Sequence, residues 1–290
     1  MRYLGNKAKL LPFIENVIDK HEIKGQKFVD LFAGTGSVGD YFKNKYTVIA
    51  NDFMYYSYVL NKAKLSYECT PEFKKFNKKY NHNIFDWLNS REYQPTEHYF
   101  IYNNYTPVGD RMFFTEENGI IIDGIRIAIE DLYKSDIVSL NEYYFLIASL
   151  LECVTKVSNT SGTYEAFFKF WESRSSKKIV LEPLEFIHSH VYENNEVYQT
   201  DSNKIIRQVE GDILYIDPPY TVTQYASAYH MLETIARYDI PQIKGVGGKR
   251  DKGECISLYS RKKIALEQFK DLFRQSRCRH ILLSYSNQSI

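Results

Sequence analysis

Lys27-Phe28-Val29-Asp30-Leu31-Phe32-Ala33-Gly34-Thr35-Gly36-Ser37-Val38-Gly39 is the stretch whose reading decides the fold. Lys27 to Leu31 is a short apolar run closed by a glycine-rich turn, which predicts a buried parallel strand feeding a helix. Val38 to Asn44 leaves room for that helix. Thr47-Val48-Ile49-Ala50 is β-branched, ends in Asn51-Asp52, and reads as the next strand. Strand, glycine turn, helix, strand and acidic residue together form the opening of a doubly wound α/β sheet.

Gly34-Thr35-Gly36-Ser37-Val38-Gly39 also satisfies G-x-G-x-x-G, and Asp52 follows at a suitable distance. Glycines belong where backbone must approach a ligand closely. A carboxylate after the second strand accepts hydrogen bonds from ribose hydroxyls. The motif locates a nucleoside pocket, but NAD and S-adenosyl-L-methionine satisfy it equally well. A purely structural turn is the plain alternative.

Outward from this core the rhythm breaks. From Phe53 to Glu196 the pattern is helical, with Ile121, Ile125, Ile129 and Leu132 at helical spacing, and Tyr143, Ile147, Leu150 and Val154 likewise. Thr115 stands where an N-cap belongs. Polar, turn-rich segments such as Asn103-Asn104-Tyr105-Thr106-Pro107 and Ser158-Asn159-Thr160-Ser161-Gly162 lie between. Strand signals resume at Ile213 to Ile216 and at His280 to Ser284. The expected domains are therefore 1–52 with 197–290, interrupted by an insertion at 53–196.

Asp217-Pro218-Pro219-Tyr220 follows the strand at Ile213 to Ile216 directly. Such a tetrapeptide arises by chance in on the order of one in a thousand chains of this length. It sits at the carboxyl end of a strand, where open α/β sheets bind ligands. The prolines fix φ and bias Asp217 and Pro218 toward extended geometry. A carboxylate, a carbonyl and an aromatic ring are then held in one stiff array, which suits an adenine amino group. That nitrogen's lone pair is delocalised into the ring. If Asp217 and the Pro218 carbonyl each accept one N6–H bond, the nitrogen is drawn toward tetrahedral geometry and its lone pair is freed. Tyr220 can stack on a base that has left the duplex. Positioning and electrostatics supply the rate gain, without a metal or a covalent intermediate. A rigid turn after a strand is the bland alternative.

Composition removes several classes. Of the 290 residues, 44% are hydrophobic and 25% charged, which is ordinary for a globular chain. No apolar run reaches the length of about 20 that a membrane helix needs, and the start has no signal-peptide pattern. No membrane association and a cytoplasmic location are expected. Cys69, Cys153, Cys255 and Cys278 are scattered, which argues against zinc or disulfide frameworks. None follows a proline, so the Pro-Cys nucleophile of cytosine-C5 methyltransferases is missing. The net charge of +1 does not announce a nucleic-acid binder. Local clusters count for more: Lys74, Lys75, Lys78 and Lys79 interleaved with Phe73, Phe76 and Tyr80, then Arg174, Lys177 and Lys178, then Arg261, Lys262 and Lys263. Each suits phosphate contact, and each is equally well a solvated face.

Taken together, these motifs resemble the D12-class DNA adenine-N6 methyltransferases, the Dam-like and FokI-type modification enzymes. The resemblance rests on Arg2-Tyr3-Leu4-Gly5-Asn6-Lys7, Asp30-Leu31-Phe32-Ala33-Gly34-Thr35-Gly36, Asn51-Asp52 and Asp217-Pro218-Pro219-Tyr220. Gln224-Tyr225, Tyr229-His230 and Leu232-Glu233-Thr234 add to it. It implies a doubly wound mixed sheet of the S-adenosylmethionine-dependent methyltransferase type, with a mainly helical target recognition domain inserted. The cofactor implied is S-adenosyl-L-methionine. Tyr3 and Lys7 would meet its methionine end, with Lys7 near the carboxylate. Phe32, Gly34 and Gly36 would shape the pocket, Asp52 would hold the ribose, and Asp201 would contact the adenine. Asp217 would be catalytic with Pro218 and Tyr220, and would line the cofactor pocket as well. Within the insert, Asn103, Asn104, Tyr105, Arg111, Asn159, Thr163 and Tyr164 would be candidates for contacting DNA.

The partners implied are double-stranded DNA and a cognate restriction endonuclease, in a bacterial or phage-encoded system. The family continues past Ser284-Tyr285-Ser286-Asn287 with further strands, whereas this sequence stops at Ile290; the resemblance therefore implies an expression fragment, a truncated gene product or one part of a split enzyme. The rival readings are an RNA adenine methyltransferase, an NAD-dependent oxidoreductase, and a DNA-binding relative without catalysis. The long insert argues against the first. The lack of a hydride-transfer site argues against the second. The complete Asp217-Pro218-Pro219-Tyr220 argues against the third.

Overall fold

A computed structural model describes residues 7–188, 193–219, 224–251, 253 and 255–285. In chain order the elements begin with α1 (Leu11–Lys20), β1 (Lys27–Asp30), α2 (Ser37–Phe42), β2 (Thr47–Asp52) and α3 (Tyr55–Ser66). A helical run follows: α4 (Lys74–Tyr80), α5 (Ile84–Ser90), α6 (Phe100–Tyr105), α7 (Glu116–Lys134) and α8 (Leu140–Val157). Next come β3 (Glu196–Gln199), α9 (Ser202–Ile205), β4 (Glu210–Ile216), α10 (Tyr225–Ala228) and α11 (His230–Arg237). The chain then passes through β5 (Ile243–Lys244), β6 (Lys249–Arg250), α12 (Lys262–Gln275) and β7 (Arg277–Leu283). No helix among the described residues is long and apolar enough to cross a membrane.

Two compact units emerge. The first is a sheet unit drawn from Gly5–Cys69, Phe186–Ala226 and Gly253–Ile290. Its five strands run in the order β3-β2-β1-β4-β7, and every pairing is parallel. The antiparallel member of a mixed sheet is not among the described strands. Strand side chains alternate between two faces, and both faces are covered. Phe28, Ile213 and Tyr215 pack with Leu11, Ile14 and Ile18 of α1 and with Val38 and Phe42 of α2. Val29, Leu31, Leu214 and Ile216 pack against Ile205, Tyr259 and Leu272 on the other side. The sheet is therefore doubly wound. Strand order reverses between β1 and β4, so the crevice at their carboxyl ends is the switch point where such sheets take ligands.

The second unit draws on Thr70–Glu185 and Ser227–Lys252. Thr115 caps α7, its hydroxyl accepting the Asn118 N–H. Ser139 and Glu142 form a capping box that starts α8. The buried stripe of α7 runs through Ile122, Ile125, Ile129 and Leu132, one residue displaced at its start from the sequence expectation of Ile121. On α8 the predicted Tyr143, Ile147, Leu150 and Val154 are all buried.

These units divide the chain differently from an insertion at 53–196. Helix α3 packs with the sheet, where Leu65 joins Val48 and Ala50. Residues 227–252 join the helices, because the Arg126 guanidinium binds the Ile235 and Ala236 carbonyls near the end of α11.

Candidate active site

Three carboxyl groups gather where the switch point predicts. Asp30 ends β1, Asp52 ends β2, and Asp217 follows β4 immediately. Asp30 is fully buried, and neither carboxyl oxygen makes a hydrogen bond among the described residues. Burial, then the charges of Asp217 and Asp52, push its pKa well above the usual carboxylate range. Burial also raises the Asp217 pKa, while the Lys7 ammonium beside it and Ser284 pull the other way. The Lys7 Nζ stands 3.0 Å from Asp217 Oδ1, with both side chains largely out of solvent. Lys7 was expected at a cofactor carboxylate; here its partner is Asp217.

The glycine loop is shaped from behind by α3. Gly34 and Gly36 have φ of 52° and 74°, which side chains rarely tolerate. A Cβ on Gly36 would also fall 2.8 Å from Asn61 Oδ1. Ser57 and Asn61 both donate to the Gly34 carbonyl, and Lys64 donates to the Thr35 carbonyl at 2.9 Å. These three polar side chains are buried on one stripe of α3, at i, i+4 and i+7. Because the Gly34 carbonyl is drawn toward α3, the Thr35 N–H of the same trans peptide points the opposite way.

Asp52 closes the loop. Its Oδ2 accepts the Gly34 N–H at 2.8 Å and its Oδ1 the Met54 N–H at 2.9 Å. Asn51 ties the strand ends together by donating to the Leu31 and Thr200 carbonyls and accepting the Thr200 N–H. That bond fixes the next residue, Asp201, which caps α9 through Oδ1 alone, accepting from Asn203 and Lys204. Phe32 packs edge-on against Tyr259 at 5.1 Å between centroids. Pro218 is buried, and Gln224 exchanges two hydrogen bonds with Ser257. Tyr3 and Tyr220 lie outside the described residues.

A family model for the D12 class N6 adenine-specific DNA methyltransferases matches residues 3–289. The chain belongs to that family. It is 57% identical to modification methylase LlaI of Lactococcus lactis subsp. lactis, a match covering all of this chain and 47% of that enzyme. Against Type II methyltransferase M.FokI of Planomicrobium okeanokoites the identity is 41%, over all of this chain and 45% of that one. Against Type II methyltransferase M.NlaIII of Neisseria lactamica it is 38%, over all of this chain and 84% of that one. The chain thus spans about half the length of the LlaI and FokI enzymes. No solved structure matches it.

Within this D12 chain, the DNA-contact candidates of the helical unit are largely engaged inside that unit. Tyr105 is fully buried and donates to the Gly248 carbonyl at 2.7 Å. Tyr164 is buried beside Phe113. Arg111 spends its guanidinium on four backbone carbonyls, those of Asn104, Gly109, Gly245 and Val246. Asn159 is buried and binds the Met112, Phe168 and Phe170 carbonyls. Asn103 and Asn104 donate back to carbonyls of their own helix, at Tyr99 and Phe100. These side chains build the unit, and a base edge would have to displace bonds already made.

The lysine cluster resolves similarly. Phe73 and Phe76 are core residues, whereas Lys74, Lys75, Lys78 and Lys79 form a solvated face in which Lys75 pairs with Asp136. Arg174 is turned inward onto Glu172 and the Thr160 carbonyl. What sequence reasoning missed is the α3 stripe of Ser57, Asn61 and Lys64. Its signal was visible as polar residues at helical spacing directly after Asp52.

Proposed function

We propose that this chain transfers a methyl group from S-adenosyl-L-methionine to N6 of adenine in double-stranded DNA. The observation that carries the proposal is Asp217, held at the sheet's switch point between Ile216 and Pro218 and ion-paired to Lys7. S-adenosyl-L-methionine, when bound, supplies a methyl group on a positively charged sulfur. The crevice suits it in that Asp52, at the end of β2, sets a carboxylate beside the glycine loop, where a ribose would lie. Gly34 and Gly36 let the backbone approach, Phe32 walls the pocket, and Asp201 reaches the adenine with the oxygen its helix cap leaves unused.

Toward the target base, Asp217 and the Pro218 carbonyl would each accept one N6–H bond. The base must leave the duplex to be reached, and Tyr220 would then stack on it. Target recognition belongs, in this reading, to the helical unit. The protein would act in the cytoplasm of a bacterium, or of a phage-infected one, protecting DNA from a cognate restriction endonuclease.

The test is direct. The chain is incubated with tritiated S-adenosyl-L-methionine and either duplex DNA or structured RNA, and the nucleosides are separated after digestion. Label is expected in N6-methyldeoxyadenosine. Label in cytosine or only in RNA refutes the proposal.

A pH profile tests the role given to Lys7. Asp217 must be ionised to accept its N6–H bond, so activity is lost as pH falls through its pKa. Lys7 favours the ionised form, and removing it raises that pKa. Lys7→Met is therefore expected to move the acid limb of kcat/KM upward by about one pH unit. An unmoved limb means that Lys7 does not govern Asp217.

A further inference from the structure

The hairpin in the helical unit is built unlike an ordinary connecting loop. Strands β5 and β6 pair antiparallel, Ile243 with Arg250 and Lys244 with Lys249. Their turn is Gly245-Val246-Gly247-Gly248, closed by a bond from the Gly248 N–H to the Gly245 carbonyl at 3.0 Å. Val246 is 83% exposed, more than any other large apolar side chain among the described residues. Turn tips ordinarily take polar residues. Glycines are also the residues that lose most freedom on ordering, so a three-glycine tip would by default be mobile.

This tip is clamped from beneath. Arg111 holds the Val246 carbonyl through Nε at 2.9 Å and the Gly245 carbonyl through Nη2 at 3.2 Å. Buried Tyr105 holds the Gly248 carbonyl at 2.7 Å. Gly247 and Gly248 leave no room for a Cβ, which would fall 2.9 Å from the Glu165 carbonyl and 2.8 Å from Arg111 and Tyr105. The stem is braced by Lys249 on Glu165 and by a two-point pair of Arg250 with Asp239. Arg111 and buried Tyr105 thus hold in place a turn whose tip presents one valine to solvent.

Rigid presentation of an isolated apolar side chain on a narrow ribbon fits one kind of guest. Two-stranded ribbons enter DNA grooves, and apolar side chains wedge between base steps and unstack them. Exposed Lys244 on the stem adds a phosphate contact. We propose that the Ile243–Arg250 hairpin is a duplex wedge, with Val246 inserted into the base stack to ease extrusion of the target adenine. The inference rests on the methyltransferase reading above and deepens it.

Two measurements on the full chain separate the possibilities. Methylation is compared on a duplex carrying the mapped target and on the same duplex with an abasic site opposite the target adenine. Val246→Gly is expected to lose about 10- to 100-fold on the paired duplex and to recover on the abasic one, while Val246→Leu stays near wild type. Equal rates on both substrates for Val246→Gly and the wild type, or an equal loss on both, overturn the wedge. The second measurement is bending of a bound fragment in a circular-permutation gel, which needs no catalysis. The wild type is expected to kink the fragment and Val246→Gly to bind it unbent. If neither protein bends it, the wedge falls even where methylation is intact. If the wild type methylates nothing yet bends DNA through Val246, the methyltransferase reading fails and the wedge stands.

Discussion

Asp217→Asn is expected to slow single-turnover methyl transfer to duplex DNA by about 10²- to 10³-fold, the scale set by losing one preorganised electrostatic contact. Asparagine keeps the shape and one acceptor oxygen, so the change isolates the charge. That charge matters here because the group lies in a site where burial already raises its pKa. In such surroundings an interaction with a nitrogen gaining positive character is screened far less than in water. The substitution also leaves the Lys7 ammonium without its partner 3.0 Å away, so positive charge would face the amino group to be methylated. Rapid-quench counting of label in DNA measures the rate, and calorimetry with S-adenosyl-L-methionine separates it from cofactor affinity. A loss smaller than about threefold at saturating cofactor means that Asp217 is not the acceptor.

How much of this site was legible in the sequence depends on how local each determinant is. The run from Lys27 through Asp52 folds as its pattern demands, because strand, glycine turn and helix are each fixed by neighbours within a few residues. The apolar run before Asp217 and the Thr115 cap are equally local. The contacts that were missed are not. Lys7 and Asp217 meet only because α1, β1 and β4 assemble, and no periodicity links residues 210 positions apart.

The surroundings of Tyr105, Arg111, Asn159 and Tyr164 were hidden for a related reason. They lie in polar, turn-rich segments that resemble surface loops, yet each folds back to satisfy or cover buried backbone. Buried carbonyls need donors, and side-chain donors in irregular segments are the ones at hand. The boundary of the helical unit was hidden too. Ser227–Lys252 joins it through tertiary contacts such as those of Arg126, although the preceding motif belongs to the sheet.

Arg126→Met is expected to destabilise the helical unit by about 3–5 kcal/mol, the cost of removing one partner from a buried ionic network. Arg126 is the largest of the fully buried side chains, only 2% exposed. Its Nε binds the Ile235 carbonyl at 3.0 Å, and one terminal nitrogen binds the Ala236 carbonyl at 3.2 Å and the Tyr143 hydroxyl at 3.0 Å. The other reaches Glu130 at 2.9 Å. Those two carbonyls belong to the last turn of α11, where helix geometry provides no internal N–H donors for them and the dipole favours a cation. Methionine fills the channel but donates nothing, so both carbonyls are left buried and unpaired. Glu130 can fall back on the Tyr143 hydroxyl at 2.8 Å and on solvent, being 29% exposed; Glu130→Gln should therefore cost much less. Arg126→Lys keeps the charge but cannot span all four acceptors, and should fall between the two. Urea unfolding followed by far-ultraviolet circular dichroism measures all three variants. A loss below about 1 kcal/mol for Arg126→Met would mean that α11 is held by its apolar face alone, with the guanidinium network contributing nothing net.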